Sequence, residues 1–166
     1  GLKPYGKGHR IVCASIAINE NEAFTFEMPK EVDKREPFLK ILRNTHIKKM
    51  AHNMKFEDTW SFVRLKTKIK GWDFDSMLAA HLLDNRSGIT GLKFQTYVNL
   101  GIVNYNINVE QYLKPIHDKN ANSKNRLQDF FNTEIDKREV LRYCGLDTIN
   151  QYRLAVMQKQ KFDVLT

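Results

Sequence analysis

At 166 residues the chain is long enough for one domain with a real core, and its hydrophobic share of 42% is ordinary for a globular protein. An excess of 27 lysines and arginines over 19 aspartates and glutamates gives a formal charge of +8 and a pI near 9.5, which favours a polyanionic partner such as nucleic acid. Cys13 and Cys144 are too few for a disulfide framework and lack zinc-ligand spacing, and neither a run of about 18 apolar residues nor a secretory pattern occurs. The expectation is one soluble domain over residues 1–166, in a reducing cytoplasm and without membrane contact.

Arg10 to Ile18 is apolar and β-branched, and Asn19-Glu20-Asn21 turns it into Ala23-Phe24-Thr25-Phe26-Glu27, the pattern of a β-hairpin. Pro37 can open a helix whose Phe38, Ile41 and Leu42 repeat at helical spacing, ending near Asn44. Ile47 to Ala51 reads as a short strand, followed by a helical stripe of Phe56, Trp60, Val63 and Leu65. Gly71 to Phe74 reads as another strand, and Asp75 is placed to cap a helix carrying Met77, Leu78, Leu82 and Leu83. Strands that alternate with helices predict an α/β domain with some parallel pairing.

A helix beginning near Thr90 should stop at Gly101. Residues 114–126 are rich in Lys, Asn, Asp and Ser and predict an exposed loop, whose Lys114, Lys119, Lys124 and Arg126 could meet phosphates or simply be solvated. From Asp136 a long terminal helix is expected, with Val140, Tyr143, Asp147, Leu154 and Met157 along it.

Two segments carry the candidate chemistry. In Ala51-His52-Asn53-Met54-Lys55-Phe56-Glu57-Asp58 the acids follow a strand-to-helix junction, and in Tyr143-Cys144-Gly145-Leu146-Asp147 a helix shows tyrosine and aspartate on one face. Carboxylates gathered from separate elements are what Mg²⁺ or Mn²⁺ needs, and such ions activate water against phosphodiesters. Each piece also has a plain explanation: first-turn acids favour a helix dipole, and Tyr-x-x-x-Asp is short and common.

The order of the pieces is more specific. Asn53-Met54-Lys55-Phe56-Glu57, then Phe74-Asp75-Ser76-Met77-Leu78, then Gly91-Leu92-Lys93, then Tyr143-Cys144-Gly145-Leu146-Asp147 resembles, over nearly the whole chain, the 3′→5′ proofreading exonuclease domain of family A DNA polymerases. The resemblance implies a ribonuclease-H-like three-layer α/β fold with a mixed sheet flanked by helices. It implies two divalent cations, Mg²⁺ or Mn²⁺, held in part by Asp147 and Glu57, with Tyr143 orienting the attacking water. It also implies a single-stranded DNA 3′ end as substrate, near His52, Asn53, Phe56 and a wedging Leu2, and a polymerase domain in the same or another chain as partner.

The chain departs from the pattern twice. Glu57 stands where the family has aspartate, with Asp58 beside it as a substitute ligand; register favours Glu57. The family's first motif, Asp-x-Glu on the central strand, has no counterpart, since no acid precedes Glu20 and the chain opens Gly1-Leu2-Lys3-Pro4. The expected fold therefore lacks its first central strand. Residues beyond those given, another segment, or a catalytically inactive single-stranded DNA-binding domain would each account for this.

Overall fold

The structure, a computed structural model, describes residues 3–103, 105, 109 and 134–165. Strands β1 (Cys13–Ala17) and β2 (Ala23–Glu27) form the expected antiparallel hairpin, in register from Cys13↔Glu27 to Ala17↔Ala23. Its turn is built by Asn19, whose side-chain oxygen accepts from the backbone N–H groups of Asn21 and Glu22 at 2.8 and 2.9 Å. A 3-10 turn at Asp33–Arg35 leads into α1 (Glu36–Arg43), with Pro37 in its first turn, where a missing N–H costs nothing.

On α1 the expected Phe38 and Leu42 pack against the core, and Ile41 does not. Leu39 is buried, flanked by Phe38 and Leu42, whereas Ile41 is exposed. Leu39 joins Met28 and Leu65 in a cluster against which Ile11, Ala14 and Phe26 pack, and the Phe26 and Phe38 rings meet edge to face at 5.2 Å.

The second half of the site's scaffold is a β-α-β-α unit: β3 (Lys49–Ala51), α2 (Met54–Trp60), β4 (Trp72–Asp75) and α3 (Ser76–Leu83). Strands β3 and β4 pair in parallel, Met50 opposite Phe74 and Ala51 opposite Asp75. Gly71 enters β4 at φ +74°, and a Cβ there would come within 2.6 Å of the Ile47 carbonyl oxygen, so backbone crowding as well as the left-handed conformation demands glycine. Helix α2 continues into a π-helical turn at Ser61–Leu65. A π turn stacks residues five apart, which is why Trp60 and Leu65 are both buried where a regular helix would separate them.

In α3 the interior face belongs to Ser76, Ala79 and Ala80, and the expected apolar pair Leu78 and Leu82 is exposed. Small residues allow the close approach at which Gln158 Nε2 donates to the Ser76 carbonyl at 3.1 Å. Helix α4 (Leu92–Leu100) stops at Gly101, φ +67°, as expected. Helix α5 (Glu134–Leu165) packs across β1, β2, β3, α3 and α4, with Val140, Leu154, Ala155 and Gln158 on its buried face.

Among the described residues the strands make two small sheets, the hairpin and the parallel pair, with helices against both. This is the mixed α/β arrangement expected, and α5 is the element common to both sheets. Lys137 pairs with Glu27 at 3.2 Å, and Arg153 donates to the Glu20 carbonyl at 2.7 Å, fastening that helix to the two ends of the hairpin. The loop expected at residues 114–126 lies outside the described residues.

Candidate active site

The junction between β3 and α2 is held by one carboxylate. Asp75 Oδ1 accepts from Met77 N–H at 2.9 Å and Leu78 N–H at 3.3 Å, capping α3 as expected, and from Asn53 N–H at 3.0 Å, while Oδ2 accepts from Met54 N–H at 2.9 Å. One side chain thus satisfies orphan donors at the starts of two helices. Asn53, at φ +76°, caps α2 by accepting from Phe56 N–H at 3.3 Å; asparagine is among the few residues that take this conformation cheaply.

His52 Nδ1 lies 2.9 Å from Ser76 Oγ, and burial lowers its pKa, leaving the ring neutral at pH 7. His52 and Asn53 therefore build the corner from which Phe56 and Glu57 project. Phe56 keeps an exposed ring 6.2 Å from that of Trp60, a surface on which a base could stack. Leu2 lies outside the described residues.

The two neighbouring acids part company. Asp58 Oδ1 accepts from Ile69 N–H at 3.1 Å and so anchors the chain that follows the π-helical turn. Glu57 keeps exposed surface yet is enclosed by enough protein that desolvation raises its pKa from 4.5 to about 7. Its charge reaches the Cys144 thiol on α5, as does that of Asp147.

Helix α5 brings the second segment to the same place. Gly145 is buried there, and a Cβ on it would lie 2.8 Å from Thr25 Oγ1, so glycine lets the helix settle onto β2 despite a helix-interior cost of about 1 kcal/mol relative to alanine. Beside it the Cys144 and Cys13 thiols act on each other, which lowers the pKa of Cys13 and, with burial, raises that of Cys144.

Tyr143 and Asp147 lie one turn apart, and the Tyr143 hydroxyl helps stabilise the Asp147 carboxylate. A third residue joins them: the Tyr105 hydroxyl donates to Asp147 Oδ1 at 2.7 Å, and its ring stacks on Tyr143 with centroids 6.1 Å apart. Lys93, at the start of α4, places its ammonium 5.5 Å from the Tyr143 ring centroid. Burial raises the pKa of Asp147, against the opposing pull of the two hydroxyls and Lys93. Burial and the Asp147 charge raise both tyrosines, which stay protonated donors.

Among the described residues no group of three or more His, Cys, Asp or Glu side chains converges into a cation cage. Two carboxylates, Glu57 and Asp147, both act electrostatically on the Cys144 thiol. Two carboxylates are a hard-oxygen donor set that suits Mg²⁺ or Mn²⁺, whose remaining positions go to water and phosphate oxygens. The pair fits one such cation, and the described residues offer no second set.

A family model of the 3′-5′ exonuclease associated with DNA polymerase A matches residues 2–160. The chain belongs to this 3′-5′ exonuclease family. A search of curated proteins finds no match. Membership gives the domain a nucleic-acid substrate class and a family that generally uses divalent metals, and the mixed α/β structure agrees with its ribonuclease-H-like fold. For this exonuclease domain, sequence reasoning missed Tyr105, which stands in no motif. It passed over Lys93, although Gly91-Leu92-Lys93 had marked the turn that delivers it.

Proposed function

We propose that this domain removes nucleotides from the 3′ end of single-stranded DNA, as the proofreading exonuclease of a DNA polymerase carried in the same or another chain. The observation that carries the reading is the cluster of Asp147, Tyr143, Tyr105 and Lys93, with the Glu57 charge also felt at Cys144, on a chain of the exonuclease family. Asp147 and Glu57 would hold one Mg²⁺ or Mn²⁺; the second cation of the family's scheme would need the Asp-x-Glu ligands that this sequence lacks. The bound metal supplies positive charge to the phosphate and makes hydroxide available near neutral pH.

The chain's own groups set the geometry around that chemistry. Tyr143 holds its hydroxyl beside Asp147, where it can orient an attacking water. Lys93 adds positive charge facing the same carboxylate, favourable for an entering phosphate. Phe56 offers an exposed ring to the terminal base.

The test is trimming of matched 5′-labelled DNA and RNA oligonucleotides, with Mg²⁺ and with chelator. DNA should shorten stepwise from its 3′ end only with metal. Asp147→Ala should lower the rate by at least about 10³-fold, as loss of a metal ligand does, with circular dichroism unchanged. Full activity in Asp147→Ala, or in chelator, would falsify the reading; preferential trimming of RNA would redirect it to an RNA exonuclease, and DNA binding without turnover to an inactive DNA-binding domain.

A further inference from the structure

We propose that Tyr105 is a positioning residue for Asp147, fixing the orientation in which the carboxylate receives a divalent cation; this rests on the exonuclease reading above. The hydroxyl donates to Asp147 Oδ1 at 2.7 Å. A phenol has one proton to give, and here it goes to Asp147.

Asn150 on α5 is 2% exposed and Thr96 on α4 is fully buried, and the two helices pack on each other.

Tyr105 also steadies the other half of the pair. Its ring lies nearly parallel to that of Tyr143, 21° between planes, so Tyr143 and Asp147 are both braced by one side chain. With Oδ1 engaged, rotation of the Asp147 carboxylate is restricted, and a cation meets a single presentation of its oxygens. Ligating carboxylates are ordinarily held by such outer hydrogen bonds, and Tyr105 fills that place without touching the reacting atoms.

Tyr105→Phe removes the hydroxyl and keeps the ring. Mn²⁺ binding to the full chain is measured by titration calorimetry, kcat and KM on a single-stranded DNA oligonucleotide by steady-state assay, and melting without metal by circular dichroism. The expected result is Mn²⁺ affinity and kcat each about tenfold lower, KM unchanged, and kcat partly recovered at excess Mn²⁺. Wild-type Mn²⁺ affinity in Tyr105→Phe, or a change confined to KM or to melting, overturns the proposal.

Asp147→Ala run alongside keeps the two readings apart. If the wild-type chain binds Mn²⁺ through Asp147 but trims no DNA, the exonuclease reading fails while the calorimetry still decides Tyr105. A chain that binds no Mn²⁺ at all overturns both.

Discussion

Asp75, at the end of β4, and Asp147, on α5, are both partly buried aspartates, and their surroundings could hardly differ more. Asp75 accepts from four backbone N–H groups and ties together the starts of α2 and α3. Asp147 accepts from the Tyr105 hydroxyl, feels the Tyr143 hydroxyl and a lysine, and is otherwise desolvated, with its pKa pushed up by burial. The first carboxylate has spent its acceptor capacity on the fold. The second is held by side chains and has capacity left, which is the condition of a group that awaits a cation.

The largest test of that contrast is stability without metal. Asp75→Ala strands donors at two helix starts and should cost about 2–4 kcal/mol, taking roughly 1 kcal/mol or more for each cap and adding the loss of buried acceptors. Asp147→Ala removes a group that burial disfavours, so its change should stay within about 1 kcal/mol. Urea denaturation of both variants measures the difference. Equal losses would erase the distinction between the structural acid and the functional one.

Next in size is the pH response of Glu57. Its pKa in the fold, about 7, lies above its ordinary value of 4.5, so between those values the folded chain holds a proton that the unfolded chain has released. The stability this proton contributes is fully present below about 4.5 and is lost as pH rises through about 7. Water that reaches the side chain keeps the slope modest. Melting temperature without metal should therefore decline across this window in the wild type and less steeply in Glu57→Gln. Mn²⁺ affinity should rise over the same interval in the wild type, because cation and proton compete for one carboxylate. A melting profile with the same slope in both proteins would show that Glu57 keeps its ordinary pKa.

These differences trace what could be read in the residues alone. Asp75 was legible because its signal is local: an acid between a short strand and an apolar helix caps that helix, and Gly101 stops one for equally local reasons. The second duty of Asp75, on Asn53 and Met54, depends on β3 lying beside β4 and has no local signature. The face of α3 was not legible, because Met77, Leu78, Leu82 and Leu83 ring the helix with apolar groups, and only its neighbour α5 selects Ser76, Ala79 and Ala80 for the interior. The π-helical turn breaks the period on which the Phe56 to Leu65 stripe relied. Tyr105 belongs to no repeat, and its importance exists only where the chain folds back beside Tyr143.

The smallest expected effect concerns the acid next to Glu57. Register in the sequence favours Glu57 over Asp58, and the structure supplies a physical ground for that preference: Asp58 Oδ1 is engaged by Ile69 N–H, on the far side of the π-helical turn. Asp58→Asn keeps a side-chain oxygen that can still accept from Ile69, so only the charge is lost, and stability should fall by no more than about 1 kcal/mol. Trimming by this variant should stay within about threefold of wild type, since surface or half-buried charges away from the reacting atoms move rates little compared with a metal ligand. Glu57→Gln, assayed beside it, should lose far more. If the order is reversed, with Asp58→Asn inactive and Glu57→Gln nearly normal, then Asp58 leaves Ile69 to serve the cation, and the acid placed here on the structural side of the comparison belongs with Asp147.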